Sequence, residues 1–274
     1  ALLFEQTPQY EPGLFLLDLD TGAYLDWQAN RTFPAASTIK TPILVAFFQA
    51  VDAGEIRLNE LLTLTPEAIV GEAGDMQYQP PGTEFTVLET AVKMIAISDN
   101  TATNLLIERL GGMEALNQKF AAWGLGATRL HSPLPDLEGT NTTSPLDLAH
   151  LLAAVHRGEL LSLPSRDRLL SILRQVEHDD LLPQGLEEGA IIAHKTGRIR
   201  TVLADAGLID TPTGKRYLAA VIVQRPPGDE RAANLIQEIS RLAYQQFNQA
   251  QPAPTATTDS IEAKDSVATK DEEP

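Results

Sequence analysis

Ser37-Thr38-Ile39-Lys40-Thr41-Pro42-Ile43-Leu44-Val45-Ala46-Phe47-Phe48-Gln49-Ala50-Val51-Asp52-Ala53 is the stretch around which the rest of the chain must be arranged. Apolar residues recur through it at helical spacing, and Ile43, Leu44, Val45, Phe47, Phe48 and Val51 leave hardly a polar face. A helix that is hydrophobic nearly all round is internal, so other elements have to wrap it. At its start Ser37 and Lys40 stand three residues apart, which puts hydroxyl and amine on one face, one turn apart.

Upstream, Gly13 to Asp20 is largely apolar, Thr21-Gly22 turns the chain, and Ala23 to Gln28 returns with Tyr24 and Trp27, which is a hairpin pattern. Downstream, Thr86 to Glu89 is a capping box opening an apolar helix to Ile97. Ser98-Asp99-Asn100 interrupts that helix before Ala102 to Leu110, which Gly111-Gly112 closes. Ser144-Pro145, with Asp147 three residues after the serine, starts another helix, and Ser165 to Val176 reads as a further one. Strands return at Ala190 to His194, Thr201 to Ile209 and Tyr217 to Val223, and an amphipathic helix runs from Asp229 to about Gln246. Early and late strands with helices between them predict an α+β protein whose antiparallel sheet joins both ends of the chain. The expected division is an α/β part over 1–36 and 190–250, a mainly helical part over 37–189, and a disordered acidic tail over 251–274.

Composition narrows the function classes. The 274 residues carry 37 acids against 21 Lys and Arg, a formal net charge of −16. The tail holds six acids and two lysines, so the body is acidic without it. That balance argues against a nucleic-acid or anionic-membrane partner, which clustered cations would recruit. The absence of cysteine removes thiolate nucleophiles, disulfides and Cys-ligated metals, and it fits either redox compartment. No run approaches the roughly 20 apolar residues of a bilayer span, and no transmembrane segment is expected.

Three short motifs carry chemistry. A lysine desolvated in an apolar helix loses its proton more readily, and a neutral amine within reach of Ser37 activates it as a nucleophile. Read alone, the same four residues are an N-cap serine with a snorkelling lysine. Ser98-Asp99-Asn100 offers a second hydroxyl for proton relay and an amide able to grip a carbonyl, or else mere helix punctuation. His194-Lys195-Thr196-Gly197 ends an apolar strand, where Lys195 and Thr196 suit an anionic group and Gly197 permits close approach; the plain alternative is a solvated strand end.

Taken together, Ser-x-x-Lys, Ser-Asp-Asn and Lys-Thr-Gly in this order form the signature of class A β-lactamases and penicillin-binding proteins, which the sequence resembles along most of its body. Phe33-Pro34-Ala35-Ala36 before Ser37, Thr101-Ala102-Thr103-Asn104-Leu105-Leu106 after Asn100, and Asn141-Thr142-Thr143-Ser144-Pro145 extend the likeness. The resemblance implies a β-lactamase/D,D-peptidase-like fold with an all-helical subdomain. It implies that Ser37 attacks an acyl carbonyl, Lys40 takes its proton, Ser98 passes a proton to the leaving amine and Asn100 holds the substrate amide. Lys195 and Thr196 would bind the substrate carboxylate, with Gly197 beside them. The backbone N–H groups of Ser37 and Arg198 would form the oxyanion hole.

One departure is decisive for the expected reaction. Class A β-lactamases carry Glu-Pro-x-Leu-Asn before the segment matching Asn141, and the glutamate orients the water that hydrolyses the acyl-enzyme. Here the stretch is Leu134-Pro135-Asp136-Leu137-Glu138, so leucine fills the position of the base. The resemblance then implies a D-Ala-D-Ala peptidase of the penicillin-binding kind, like the small penicillin-binding proteins of cyanobacteria built on this scaffold. Its partners would be peptidoglycan stem peptides, with β-lactams as covalent inhibitors, and its site of action periplasmic or otherwise extracytoplasmic. A β-lactamase using Glu138 as a different base, and a noncatalytic β-lactam or muropeptide receptor, are the alternatives.

The remaining candidates are minor. Arg198, Arg200 and Arg216 are cations able to reinforce a carboxylate site, and Tyr78 falls where the family lines its substrate entrance with an aromatic. Of the histidines at 131, 150, 156, 178 and 194, only His178-Asp179-Asp180 hints at a metal, and it lacks the His-Glu-x-x-His spacing. No metal or cofactor is expected, and no phosphate loop or dinucleotide fingerprint is present.

Overall fold

The computed structural model describes residues 2–248. Its helices are α1 (Leu2–Glu5), α2 (Lys40–Asp52), α3 (Val87–Ala96), α4 (Asn100–Arg109), α5 (Gly112–Ala122), α6 (Pro145–His156), α7 (Leu163–Leu173) and α8 (Ala232–Phe247). Its strands are β1 (Glu11–Asp18), β2 (Tyr24–Trp27), β3 (Phe33–Pro34), β4 (Leu61–Thr63), β5 (Glu84–Thr86), β6 (Thr142–Thr143), β7 (Ile191–Ile199), β8 (Val202–Asp210) and β9 (Arg216–Gln224). The expected tail, 251–274, lies outside the described residues.

Five strands form one antiparallel sheet in the order β2-β1-β9-β8-β7, so β1 closes on the last strand of the chain and β7 is left as an edge. The sheet is covered on both faces, which is why β9 reads Tyr217-Leu218-Ala219-Ala220-Val221-Ile222-Val223 without polar alternation. One face packs Leu14, Leu16, Leu203, Tyr217, Ala219 and Val221 against Leu235, Ile236 and Ile239 of α8. The other packs Ala193, Ala204, Ala206, Leu218, Ala220 and Ile222 into the helical core around α2. An antiparallel sheet flanked by helices is the arrangement that the sequence resemblance implies.

The all-round apolar helix is buried as its composition demands: every residue from Lys40 to Phe48 is buried. Its first turn departs from expectation. Ala36–Ile39 is a 3-10 turn entered through Ala36 at φ +47°, and the α-helix begins at Lys40. The capping box is present, with Thr86 Oγ1 accepting from Glu89 N at 3.1 Å and Glu89 Oε2 accepting from Thr86 N at 2.8 Å. Gly111 ends one helix and leads directly into α5, which the reading of Gly111-Gly112 as a terminator overlooks. Helix α7 starts earlier than expected, capped by Ser162 rather than opening at Ser165. Strand β7 does not stop at His194 but runs to Ile199, so Lys195-Thr196-Gly197 lies within the edge strand; ladder bonds to β8 hold these polar residues extended.

Candidate functional site

The site forms where the helical core meets the edge of the sheet. The 3-10 turn carrying Ser37 packs on β7, and Gly197 makes the approach possible: a Cβ there would lie 3.1 Å from Thr38 Cγ2 and 3.2 Å from Ala35 O. From the helical side, the break after α3 brings in Ser98, itself at φ +56°. Asp99 caps α4, its Oδ1 accepting from Ala102 N at 2.8 Å, while Oδ2 accepts from Met76 N at 2.9 Å and so ties the loop before α3 to the same turn. Asn100 Nδ2 donates to Gly71 O at 3.0 Å and leaves its Oδ1 facing Lys40.

Lys40 gathers these groups. Its Nζ lies 3.2 Å from Ser37 Oγ, 3.1 Å from Ser98 Oγ, 2.6 Å from Ser98 O and 2.9 Å from Asn100 Oδ1. An ammonium has three N–H donors and faces four oxygens here, whereas a neutral amine matches the set by donating to Ser98 O and Asn100 Oδ1 and accepting from a serine hydroxyl. Electrostatics favour the neutral form. Complete burial pushes the Lys40 pKa well below that of an ordinary lysine, the Lys195 cation pushes it further, and Asp99 only partly opposes them. Lys195 is also fully buried, and desolvation brings it down to about 8 against the pull of Asp205. Lys195 therefore keeps most of its proton near neutrality, whereas Lys40 is biased toward its neutral form, which fits one amine to act as base and the other to act as fixed cation.

Ser37, Ser98, Thr196 and Arg198 line one cleft of about 230 Å3, together with Glu72, Ala73, His178, Asp180 and Leu181. The Arg198 guanidinium is not free within it: it is paired with Asp180 on one side and Glu230 on the other, and Glu230 also meets Arg225 Nη1 at 2.9 Å. Arg200 does not line the cleft, and Arg216 is paired with Asp210 at the opposite end of the sheet. Tyr78 does not line it either and is 78% exposed. Glu138 is exposed on the surface and lies outside the cleft lining. Leu134 is 4% exposed within the helical core, and its backbone is gripped at both ends by Asn104, whose Oδ1 accepts from Leu134 N at 2.9 Å and whose Nδ2 donates to Leu134 O at 2.7 Å.

Three features of the site are invisible to motif reading. Glu72 enters the cleft on a left-handed backbone, φ +73°, which no local pattern announces. His178 and Asp180, which in sequence offer only a weak hint of a metal site, form a wall of the cleft. His194 and Asp205 pair across β7 and β8, a contact that only strand register creates. Among the described residues no group of three or more His, Asp or Glu is placed to hold a metal ion.

Comparison with known proteins agrees with this geometry. The sequence pattern of the Beta-lactamase enzyme family matches residues 1–247. A β-lactamase of Rhodobacter capsulatus is 32% identical over 218 residues, 77% of this chain and 74% of that protein. One from Streptomyces cellulosae is 30% identical over 241 residues, 82% of this chain and 77% of that protein. Among solved structures, PBP-A is 52% identical with a TM-score of 0.88 over 90% of this chain and 96% of its own. A leucine-to-glutamate variant of PBP-A, in an acyl-enzyme complex with penicillin G, is 53% identical with a TM-score of 0.89 over 90% of this chain and 94% of its own. A β-lactamase from Sphaerobacter thermophilus is 29% identical at a TM-score of 0.83, covering 91% of this chain and 97% of its own.

Proposed function

Because this chain belongs to the β-lactamase enzyme family, a family of serine hydrolases that react with β-lactams, we propose that it is the D,D-peptidase variety: a penicillin-binding enzyme that cleaves the D-Ala-D-Ala ends of peptidoglycan stem peptides. Neutral Lys40 takes the proton of Ser37 as Oγ attacks the penultimate D-Ala carbonyl. The N–H groups of Ser37 and Arg198 hold the oxyanion, a single such donor being worth about 3 kcal/mol in general. Collapse breaks the C–N bond, and Ser98 hands a proton, drawn from Lys40, to the departing D-Ala amine. Lys195 and Thr196 hold the terminal carboxylate, and Asn100 holds the amide of the preceding residue. The Ser37 ester is then resolved by water or by an acceptor amine, which gives carboxypeptidase or transpeptidase products. Such a substrate places the enzyme outside the cytoplasmic membrane.

The observation that carries this reading over a β-lactamase is Leu134. A buried side chain with no titratable group occupies the position of the family's deacylating base, and a base acts only within hydrogen-bond distance of its water. The likeness to PBP-A supports the same reading. The names of the curated relatives favour the β-lactamase alternative, and one experiment separates the two. Intact-mass spectrometry after brief exposure to benzylpenicillin, followed for hours after removal of excess drug, is expected to find one persistent adduct that Ser37→Ala abolishes. Rapid loss of the adduct with drug turnover would mean a β-lactamase working through another base. No adduct at all would refute the enzyme reading and leave a receptor.

A further inference from the structure

The mechanism above makes no use of the most deeply buried ionisable pair in the sheet. His194 and Asp205 are both nearly inaccessible, with Nδ1 of the imidazole 2.9 Å from Asp205 Oδ1 and 3.1 Å from Oδ2. A carboxylate is acceptor-only, so the Nδ1 nitrogen carries the proton and donates. Register places the pair at the substrate end of the cleft: Asp205 is directly opposite Thr196, and His194 precedes Thr196 by two residues on the same face of β7. Room for the imidazole comes from Gly207, the partner of His194 in the ladder, where a Cβ would fall 2.6 Å from His194 Cβ and 2.9 Å from Ala193 O.

Asp205 has a second bond that reaches out of the sheet. Its Oδ2 accepts from Leu182 N at 3.1 Å, and the carbonyl of the same residue accepts from Ser240 Oγ of α8 at 2.7 Å. Leu182 opens the 3-10 turn Leu182–Gly185 directly after Asp180 and Leu181, which form one wall of the cleft. One carboxylate therefore holds the edge strand through His194 and the facing wall through Leu182. Its charge also opposes the desolvation of Lys195.

Resting on the peptidase reading above, we infer that Asp205 and His194 are positioning residues that set the separation between the Lys195-Thr196-Gly197 strand and the Asp180-Leu181 wall, and with it the pose of the substrate carboxylate. Neither touches substrate. Asp205 acts twice, by geometry through His194 and Leu182 and by charge on Lys195. Lys40 of α2 couples to Lys195 as a second cation, and Asp205 of the sheet, bonded to His194, is the group whose charge sustains the Lys195 proton.

The test is the second-order rate constant for acylation by benzylpenicillin, a carboxylate-bearing probe, measured by intact mass from pH 6 to 9.5 on the full chain. Asp205→Asn keeps the shape and removes the charge. It is expected to lower the constant by about 10- to 100-fold, the cost of a small misplacement at a reacting centre, and to move the alkaline limb to lower pH. His194→Asn, which keeps an N–H donor toward Asp205, is expected to stay within about 2-fold of wild type, whereas His194→Leu falls with Asp205→Asn in rate. Should Asp205→Asn not fold, Gly207→Ala carries the test. It displaces the imidazole but retains the charge, so the constant falls while the alkaline limb stays in place. An Asp205→Asn enzyme with the wild-type constant and profile, or one reduced equally at every pH in step with its loss of folded protein, overturns the positioning role. A wild-type chain that takes up no drug refutes the peptidase reading itself.

Discussion

Replacing Leu134 with glutamate puts a carboxylate where the family's pattern carries its base; the burial of Leu134 sets the cost, and the general worth of a positioned base sets the benefit. Leu134 is 4% exposed, so losing its apolar burial costs about 1.5–3 kcal/mol. At roughly 2–4 °C per kcal/mol for a chain of this size, the melting temperature drops by about 3–12 °C. The backbone is unaffected, because Asn104 grips the main chain of residue 134 and not its side chain. A positioned general base is worth about 10²–10⁴ in rate, or about 2.7–5.5 kcal/mol of barrier. The benzylpenicillin adduct of Leu134→Glu should therefore decay at least about 100-fold faster than that of wild type, followed by intact mass after drug removal. Leu134→Gln is the control, matched in size and loss of apolar burial but unable to take a proton. The reasoning is refuted if folded, acylated Leu134→Glu keeps its adduct as long as wild type, or if Leu134→Gln accelerates release equally.

Lys40→Ala should reduce acylation by at least about 10²-fold, the lower end of what a general base contributes, without removing the circular-dichroism signature of the fold. Lys195 should make pH act in opposite directions on rate and stability. Its pKa falls from 10.5 to about 8 on folding, so burying its charge costs stability below about pH 8, and that cost is relieved between about pH 8 and 10.5. Acylation by carboxylate-bearing drugs should decline over the same interval as the cation is lost, which a rate profile beside a denaturant series would detect. Asn104→Ala removes two side chain to backbone bonds at Leu134 and should destabilise the protein by about 1–3 kcal/mol in chemical denaturation. Thr86→Ala dismantles the capping box of α3 and should cost about 1 kcal/mol while leaving acylation unchanged.

Much of this arrangement was legible because it is encoded locally. The internal character of α2 is visible in Ile43 to Val51, the start of α3 in Thr86 and Glu89, and the break that presents Ser98 in the run of small polar residues itself. What escaped reading depends on partners distant in sequence. Asp99 looks like punctuation until Met76, 23 residues earlier, donates to it. The continuation of β7 through Lys195-Thr196-Gly197 is dictated by the ladder to β8, since those side chains carry no strand pattern of their own. Arg198 looks like a free cation in sequence because Asp180 and Glu230, which claim it, come from two other loops. Glu72 stands in the cleft on a backbone conformation that its neighbours Gly71 and Ala73 do not foretell.

The proposed nucleophile and substrate anchor belong to different halves of the molecule: Ser37 to the turn that opens the helical core, Thr196 to an edge strand of the sheet, with Gly197 leaving room for the two to approach. A molecule bonded covalently to Ser37 and held electrostatically by Lys195 and Thr196 spans that junction. The acylated protein should then resist separation of its halves by heat or force more than the free protein does. On the proposed reading, a β-lactam that stays bonded to Ser37 would at the same time act as a cross-link, lengthening the life of the folded chain that it disables.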